Sequence, residues 1–401
     1  NVDLTPTLAL NVGLALATHT KSGKVAVGYD TRVSSPMLEH SLTSGLLAGG
    51  STVVRLGLTP TPVLALLTRE LEADAGVMIT ASHNPPEYNG IKLFNRDGVA
   101  YDEKQQNQIE EIVERGCFKR SSWQKIRTAT TVDESRRYLE AVQRTGKLER
   151  QWRVLLDPGC GATCQIALVL LRTLGCKVTA INSQPDGFFP GRSPEPDAES
   201  LQPLSQMVAQ LRVDLGIAYD GDGDRMVAID ENGAFAPLDQ ILAAYASHVV
   251  KAHEGGVVVT NVEASMCVEK MVNPNGGKVV RTKVGDAYIA SAVKQHKAVF
   301  GGEPCGAWIH PQYHYCPDGI LSSVLLLKTL EEENRTLSSF VSEAPQYPIF
   351  RENLACPNEA KPKIMEKVEK VLPSFFAETE EKSAIDGVRL TLKNGWVLIR
   401  P

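Results

Sequence analysis

Residues 75–92 have the sequence AGVMITASHNPPEYNGIK. The apolar run at 75–80 predicts a buried strand, and the polar, proline-containing residues that follow predict a loop at 81–89. Ser82 therefore lies just past the carboxyl end of a strand, which is where parallel α/β sheets place their ligands. The stretch predicts an α/β protein with a functional loop at this position.

Strand-like and helix-like runs alternate on both sides of this stretch, and the alternation recurs three times along the chain. The predicted strands are 24–30, 51–56 and 75–80, then 153–157 and 176–181, then 257–260, 278–281 and 298–300, with helices at 41–47 and 166–174. Strands that alternate with helices are typical of α/β domains. Near the end of the chain the pattern changes to one helix at 361–372 and strands at 387–392 and 396–400.

The chain has 401 residues, which is too long for one ordinary hydrophobic core. We expect three α/β domains at residues 1–129, 130–236 and 237–344, and a small α+β domain at 345–401. The sequence ends directly after a predicted strand and begins without one. We therefore expect both ends, and the last domain in particular, to be truncated.

Composition excludes several classes of protein. A net charge of −5 and a pI near 6.0 give no bulk electrostatic reason to bind nucleic acid or an anionic membrane. The sequence contains no apolar run of about 18 residues, and its first residues lack the charged and apolar regions of a signal peptide, so we expect neither a membrane span nor a signal peptide. Eight scattered cysteines are typical of reduced thiols rather than of a disulfide scaffold. We expect a cytoplasmic protein that binds neither nucleic acid nor membrane.

The acidic loop Asp220-Gly221-Asp222-Gly223-Asp224-Arg225 lies between two apolar runs. Three carboxylates at alternating positions can converge on one hard cation, because such cations prefer oxygen ligands. The glycines allow the curvature that draws the carboxylates together. The adjacent arginine suits a site that also binds phosphate.

An EF-hand calcium loop is the alternative reading of the same residues, because Glu231 falls at the twelfth position of such a loop. The sixth position of an EF-hand requires glycine, and Arg225 stands there. The flanking runs also predict strands rather than helices. We therefore reject the EF-hand.

Other residues near Ser82 can contribute to its loop. His83 can form hydrogen bonds, Asn84-Pro85 fixes the turn, and Lys92 is close enough in sequence to reach the same pocket. No G-x-S-x-G motif occurs, which argues against a serine hydrolase.

Together, residues 80–92 and 220–225 resemble the phosphoserine and metal loops of the α-D-phosphohexomutases, the family of phosphoglucomutases, phosphomannomutases and phosphoglucosamine mutases. Residues 28–32, 157–162 and 189–196 also resemble this family. The resemblance implies three homologous α/β domains with mixed sheets plus a small C-terminal α+β domain, arranged around a central cleft.

The resemblance also implies a mechanism. Ser82 carries a phosphate, and Mg²⁺ is bound by Ser82, Asp220, Asp222 and Asp224. A phosphosugar is the substrate, and a sugar 1,6-bisphosphate is the activator and intermediate. The further catalytic candidates are Lys92, His83 and Arg32. Lys92 is the acid–base candidate, with phosphate binding as its alternative, and Arg32 and His83 support the same pocket.

Substrate recognition is assigned by the same resemblance. Residues 302–307 resemble the sugar-recognition loop, although the family usually has Ser at Cys305 and often His at Ala307. Residues 283–288 are closer to phosphoglucosamine mutases than to phosphomannomutase/phosphoglucomutase enzymes. Arg400 resembles the start of a phosphate-binding loop. The expected substrate-binding residues are Arg225, Gly285, Asp286, Glu303, Cys305 and Arg400.

We therefore expect a mutase that interconverts hexose 6-phosphate and 1-phosphate, with glucosamine phosphate favoured over mannose or glucose phosphate. Three alternatives remain: a non-catalytic sugar-phosphate-binding relative, a phosphatase, and a zinc site at Cys305, His310, His314 and Cys316. The zinc spacing matches no standard finger. A homodimer is considered as a further partnership.

Overall fold

The structure is a computed structural model that describes residues 3–376 and 379–401. Its internal contacts divide the chain into two compact units. Unit 1 comprises residues 1–236 and 305–340, and unit 2 comprises residues 237–304 and 341–401. Each unit is described by itself.

The first sheet of unit 1 has the strand order β4-β3-β1-β2-β5. Its elements are α1 (Pro6–His19), β1 (Lys24–Tyr29), α2 (Ser35–Ala48), β2 (Thr52–Leu58), α3 (Thr61–Glu70), β3 (Ala75–Ile79), β4 (Ile91–Asn95), α4 (Glu103–Arg115) and β5 (Ala129–Thr131). The edge strand β4 is antiparallel to β3, whereas β1, β2, β3 and β5 are parallel. The predicted serine loop therefore connects β3 to its antiparallel neighbour.

The predicted helix at 41–47 is confirmed, but α2 begins earlier, at Ser35. Pro36 lies in the first turn of this helix, where the missing N–H of proline costs nothing.

The second sheet of unit 1 repeats this plan, with strand order β7-β6-β8-β9 and an antiparallel β8–β9 pair. Its elements are α5 (Ser135–Gln143), β6 (Arg153–Asp157), α6 (Ile166–Thr173), β7 (Lys177–Ala180), α7 (Gln202–Leu211), β8 (Leu215–Tyr219) and β9 (Met226–Ile229). All residues of β8 and β9 are buried. The acidic loop connects β8 to β9, in the same place as the serine loop of the first sheet.

In unit 2, the strands β11, β10 and β12 form a parallel sheet in that order. Its elements are α8 (Leu238–Ala252), β10 (Gly256–Asn261), α9 (Cys267–Val272), β11 (Gly277–Thr282), α10 (Asp286–His296) and β12 (Phe300–Gly302). The strand predicted at 298–300 begins two residues later in the structure, at Phe300. Ala298 instead closes α10, because its N–H donates to the carbonyl of Val293 at 2.9 Å.

The remaining elements complete both units. They are β13 (Trp308–Ile309), α11 (Gly319–Glu332), α12 (Leu337–Val341), α13 (Lys361–Val371), β14 (Thr379–Ser383), β15 (Val388–Leu392) and β16 (Gly395–Ile399), with 3-10 turns at Trp123–Lys125, Asn273–Asn275, Asn358–Ala360 and Leu372–Phe375. The antiparallel sheet β14-β15-β16 and helix α13 form the small α+β domain that the sequence predicts. Val388 and Leu390 of β15 pack against Met365 and Val368 of that helix.

The bounds of the four predicted domains stay predictions. The contacts group residues 305–340 with unit 1, where the hydroxyls of Ser323 on α11 and Tyr219 on β8 lie 2.8 Å apart. Among the described residues, none of the helices is long and apolar enough to cross a membrane.

The helices α1 and α2 pack at very short range. A Cβ atom added at Gly45 would overlap the carbonyl oxygen of Leu10, and one added at Gly13 would overlap that of Leu42. The two glycines allow the helix backbones to touch. This close packing comes at the cost of helix propensity, which is lower for glycine than for alanine.

We predict that Gly45→Ala lowers the free energy of unfolding by about 1–3 kcal/mol, because overpacking outweighs the gain in helix propensity. The measurement is urea unfolding followed by circular dichroism. Ser44→Ala, at the exposed neighbouring position, is the control and should be nearly neutral. An increase in stability for Gly45→Ala would contradict the close helix contact.

Candidate functional site

Ser82 lies in a buried and strained position directly after β3. It is a non-glycine residue in the left-handed region, with φ of +52°, a conformation that costs roughly 1–3 kcal/mol and often marks functional sites. Its N–H donates to Thr80 Oγ1 at 2.9 Å, and its Oγ donates to Asp220 Oδ2 at 2.7 Å. The structure thus joins the serine loop to the acidic loop through one hydrogen bond.

Arg32 holds the serine loop from within the protein. All five of its N–H donors are engaged by the protein: Nε by Asp30 at 3.0 Å, Nη1 by the carbonyls of Pro85 and Tyr88, and Nη2 by the carbonyls of Ser82 and Asn84. The side chain is fully buried. The expectation of Arg32 as a catalytic residue is therefore replaced by a positioning role, since no donor is left for a substrate.

Arg192 positions the acidic loop in the way that Arg32 positions the serine loop. It is buried against Asp157, with Nε 3.0 Å from Oδ2. Its Nη2 donates to the carbonyl of Tyr219, the last residue of β8, at 2.7 Å. Each of the two loops is thus fixed by a buried arginine–aspartate pair.

The carboxylates of Asp220, Asp222 and Asp224 converge as the sequence predicts. All three are buried, and ligand oxygens from each lie within 4.8 Å of one another. Asp220 Oδ1 accepts the N–H groups of Gly223 at 3.0 Å and Arg225 at 3.2 Å. Burial and the neighbouring carboxylates Asp224 and Asp222 raise the pKa of Asp220 well above its usual range.

Two glycines allow this approach. Gly223 has φ of +79°, which favours glycine. A Cβ at Gly221 would lie 2.6 Å from the carbonyl oxygen of Ser82, so a larger residue would separate the two loops.

Lys92 and Thr61 compensate part of the negative charge. Lys92 Nζ lies 2.8 Å from Asp224 Oδ2 and 3.0 Å from Asp222 Oδ2, and the Thr61 hydroxyl donates to Asp222 Oδ2 at 2.5 Å. Burial alone would raise the pKa of Asp222, but Lys92 and Thr61 lower it to about 2.

The outer oxygens of the same carboxylates fit a cation. Asp222 Oδ1 and Asp224 Oδ1 are buried and accept no hydrogen bond from any residue that the structure describes. Carboxylate oxygens left in this state are costly unless they bind a donor or a metal. The donor set consists entirely of oxygen, which suits a hard divalent ion.

His83 and Arg225 meet at a carboxylate that sequence reasoning did not identify, Glu195. His83 Nε2 lies 3.3 Å and Arg225 Nη1 3.4 Å from its two oxygens. His83 Nδ1 also lies 3.3 Å from Ser82 Oγ. Burial and the charge of Arg225 lower the pKa of His83 to about 4.

Thr61, Glu195, Asp157 and Arg192 are the site residues that the sequence did not single out individually. One signal in the sequence could have indicated Asp157 and Arg192. Asp30 and Asp157 both stand at the carboxyl end of a predicted strand, and each is followed later in the chain by the arginine with which it pairs, Arg32 or Arg192.

Unit 2 gathers four of the predicted substrate-binding residues. Glu303 Oε1 accepts the Asn261 amide at 2.7 Å and the Gly285 N–H at 2.9 Å. Gly285 has φ of +129° and precedes Asp286, the first residue of α10. Arg400 forms ion pairs with Glu263 and, at 3.1 Å, with Asp386, whose Oδ2 also accepts the N–H of Val284 at 3.1 Å.

Cys305 belongs to unit 1. It is half-buried and adjoins Gly306, whose carbonyl accepts the N–H of Met226 next to Arg225. The zinc alternative is not supported, because the only cluster found among the described residues that could hold a metal ion is the aspartate triad. His314 Nε2 is 2.8 Å from Asp318, and His310 Nε2 is 2.9 Å from Ser322 Oγ.

Comparison with known proteins assigns the family. Residues 1–120, 136–233 and 237–347 match domains I, II and III described as "Phosphoglucomutase/phosphomannomutase, alpha/beta/alpha". A protein from Methanothermobacter thermautotrophicus described as "Probable phosphoglucosamine mutase" is 47% identical over 96% of this chain and 85% of its own length. One from Pyrococcus abyssi with the same description is 43% identical, covering 100% of this chain and 88% of its own.

Among solved structures, a phosphoglucomutase/phosphomannomutase family protein from Burkholderia thailandensis has a TM-score of 0.86 and 26% identity. The alignment covers 99% of this chain and 87% of that one. The chain therefore belongs to the phosphoglucomutase/phosphomannomutase family, the α-D-phosphohexomutases.

We predict that Arg32→Met lowers the free energy of unfolding by roughly 3–5 kcal/mol, because it leaves the buried carboxylate of Asp30 without its partner. Urea unfolding at neutral pH measures the effect. The control is Arg96→Met, which breaks an exposed ion pair with Asp74 and should cost no more than about 1 kcal/mol. Equal costs for the two variants would contradict the positioning role of Arg32.

Proposed function

We propose that this protein is a phosphohexomutase that interconverts glucosamine 6-phosphate and glucosamine 1-phosphate through a phosphoserine at Ser82. The observation that carries the proposal is the strained, buried Ser82, whose hydroxyl contacts the aspartate triad at 2.7 Å. Family membership supports the reaction class, and the relatives described as phosphoglucosamine mutases support the sugar.

The reaction requires phosphate to leave the enzyme and return to it. The phosphoryl group on Ser82 Oγ passes to a hydroxyl of the sugar phosphate: the P–O bond to the serine breaks, a P–O bond to the sugar forms, and the proton of that hydroxyl passes by way of an acid–base group to the serine oxygen. The product is a sugar 1,6-bisphosphate. After it reorients, its other phosphoryl group returns to Ser82 Oγ and the freed sugar oxygen takes up a proton.

The aspartate triad and the serine oxygen would hold Mg²⁺. When bound, this ion would neutralise the charge of the phosphoserine and of the loose transition state for phosphoryl transfer. The residues fit it, since Asp222 Oδ1 and Asp224 Oδ1 are buried without donors among the described residues. Asp220, beside Ser82, completes an oxygen cluster aimed at the position of the phosphate.

Lys92 is our candidate for the proton carrier. Its ammonium lies 2.8 Å from Asp224 and 3.0 Å from Asp222, and these carboxylates hold it at the aspartate triad, where it can exchange a proton with the sugar oxygen. Binding of phosphate oxygens by the same ammonium is the alternative. His83 and Arg225 are placed to support the phosphate, because Glu195 orients both.

For the substrate, we propose recognition by Gly285, Asp286, Glu303 and Arg400 of unit 2 and by Arg225 and Cys305 of unit 1. Mannose or glucose phosphate is the alternative substrate. A sugar 1,6-bisphosphate would activate the unphosphorylated enzyme, and the cytoplasm is the proposed location.

We predict that Asp220→Asn raises the melting temperature measured in EDTA at pH 7. A carboxyl whose pKa is raised by folding destabilises the fold at pH values above its ordinary pKa, so removing its charge relieves that cost. The same variant should lose the stabilisation by MgCl₂ and on the order of 100-fold in kcat/KM.

Glu87→Gln is the matched control, because it removes an exposed carboxylate from the serine loop itself. It should change neither the melting temperature nor its response to magnesium. A magnesium response that survives Asp220→Asn would contradict the proposed metal site.

We predict that Ser82→Ala folds normally and loses mutase activity by at least roughly 10⁴-fold, the scale seen when a nucleophile is removed. The assay supplies magnesium, a sugar 1,6-bisphosphate and, in turn, glucosamine, mannose and glucose 1-phosphates. Isomerisation by the natural enzyme with the highest kcat/KM for glucosamine 1-phosphate is expected. Net phosphate release would indicate a phosphatase, absence of any reaction a binding protein, and an active Ser82→Ala variant a different mechanism.

A further inference from the structure

Three arginines of the described chain are more than nine-tenths buried: Arg32, Arg192 and Arg389. The first two are each paired with a buried aspartate and with backbone carbonyls. Arg389, on β15 in unit 2, is 5% exposed and forms no such ion pair within the described residues. Arg32 and Arg192 thus each have a buried aspartate as ion-pair partner, whereas Arg389 has no such partner within the described residues.

The contacts of Arg389 are few. Its Nη1 donates to the hydroxyl of Thr391 at 2.9 Å, and its guanidinium carbon lies 5.2 Å from the centre of the Trp396 ring. Its Nε–H is buried and finds no acceptor anywhere in residues 3–376 or 379–401. A ring face compensates a cation only in part, so the charge of Arg389 calls for an anion.

A second arginine, Arg281, adds positive charge near Arg389. Burial and the charge of Arg281 on β11 lower the pKa of Arg389 to about 10, and the charges of Glu269 and Glu381 offset this effect only in part. Arg281 is itself bound by Glu269, with distances of 2.8 and 2.9 Å to the two carboxylate oxygens. Because Glu269 is committed to Arg281 in this way, it does not serve as the hydrogen-bonding partner of Arg389.

Arg389 and Arg281 line one cavity of about 640 Å³ within unit 2. Lys270 also lines it, and Glu269 and Glu381 are its acidic residues, so three cations face two carboxylates. The hydroxyl groups of Ser383 and Thr391 and several apolar side chains complete the wall. The volume lies in the range of ordinary small-molecule sites and exceeds that of a bare phosphate ion.

We propose that this cavity is a second anion site, separate from the Ser82 centre, which binds a small metabolite carrying a phosphomonoester with Arg389 as its principal ligand. The planar guanidinium fork of an arginine matches phosphate oxygens. The hydroxyl and apolar wall accommodates the organic part of the ligand.

The position of the cavity gives the ligand a structural consequence. β11 leads directly into residues 283–286, and β15 follows Asp386, which binds both the N–H of Val284 and Arg400. A ligand held between Arg281 and Arg389 joins these two strands. It would therefore stabilise the arrangement of the proposed substrate-binding residues without contacting them.

The test uses calorimetric titration of the full chain with inorganic phosphate, at an ionic strength held constant with sodium chloride. The variants are Arg389→Met and the control Lys278→Met, which removes a cation from the exposed face of the same strand that carries Arg281. The wild-type protein and Lys278→Met should show the same binding. Arg389→Met should lose one binding event or bind there at least about tenfold more weakly, the effect of one charge-assisted hydrogen bond. Phosphate bound at the Ser82 centre is common to all three proteins and cancels in the comparison.

Thermal unfolding provides the second readout. Without phosphate, Arg389→Met should melt no lower than the wild type, because it removes a buried charge that forms no ion pair within the described residues. Phosphate should raise the melting temperature of the wild type more than that of the variant. If Arg389→Met fails to fold, the exposed Lys270→Ala takes its place and should weaken phosphate binding severalfold. Identical phosphate binding by the wild type and the folded variant, or by Lys270→Ala where that is used, would overturn the proposal.

Discussion

The hydrogen bond of 2.7 Å between the hydroxyl of Ser82 and the carboxylate of Asp220 is the contact on which the rest of the site depends. It joins two loops 138 residues apart in sequence, each of which connects a central strand to an antiparallel edge strand. The loops can meet because Gly221 has no side chain to displace the carbonyl of Ser82. Arg32 and Arg192 then fix the backbone behind each loop.

The balance of charge around this contact supports the proposal that it lies at the reactive site. Three buried carboxylates would repel one another, and the ammonium of Lys92 lies within ion-pair distance of two of them. The protein therefore holds an excess of negative charge where the proposed mechanism requires a divalent ion, and beside it a serine in a strained conformation. The excess negative charge and the strained serine both destabilise the fold at this position, as is expected of a functional site.

The sequence predicted most of the fold because buried strands here are continuous apolar runs bounded by polar turns. It also predicted both site loops, since their composition is unusual. It did not predict β14, whose residues TEEKS are polar and which forms through pairing with β15. The contacts of Arg32 could not be predicted for a related reason: its acceptors are set by tertiary geometry, including four backbone carbonyls on the Ser82 loop, and no local pattern encodes them. Thr61 was missed because its partner, Asp222, is 161 residues away.

The central claim is that Ser82 carries the phosphoryl group during turnover. Its most direct test is to incubate the enzyme with magnesium and isotopically labelled glucosamine 1,6-bisphosphate, and to locate the label by peptide mass spectrometry. The account predicts label on the peptide containing Ser82 and its transfer to added glucosamine 6-phosphate. Label on another residue, or isomerisation by an enzyme that never becomes labelled, would contradict it.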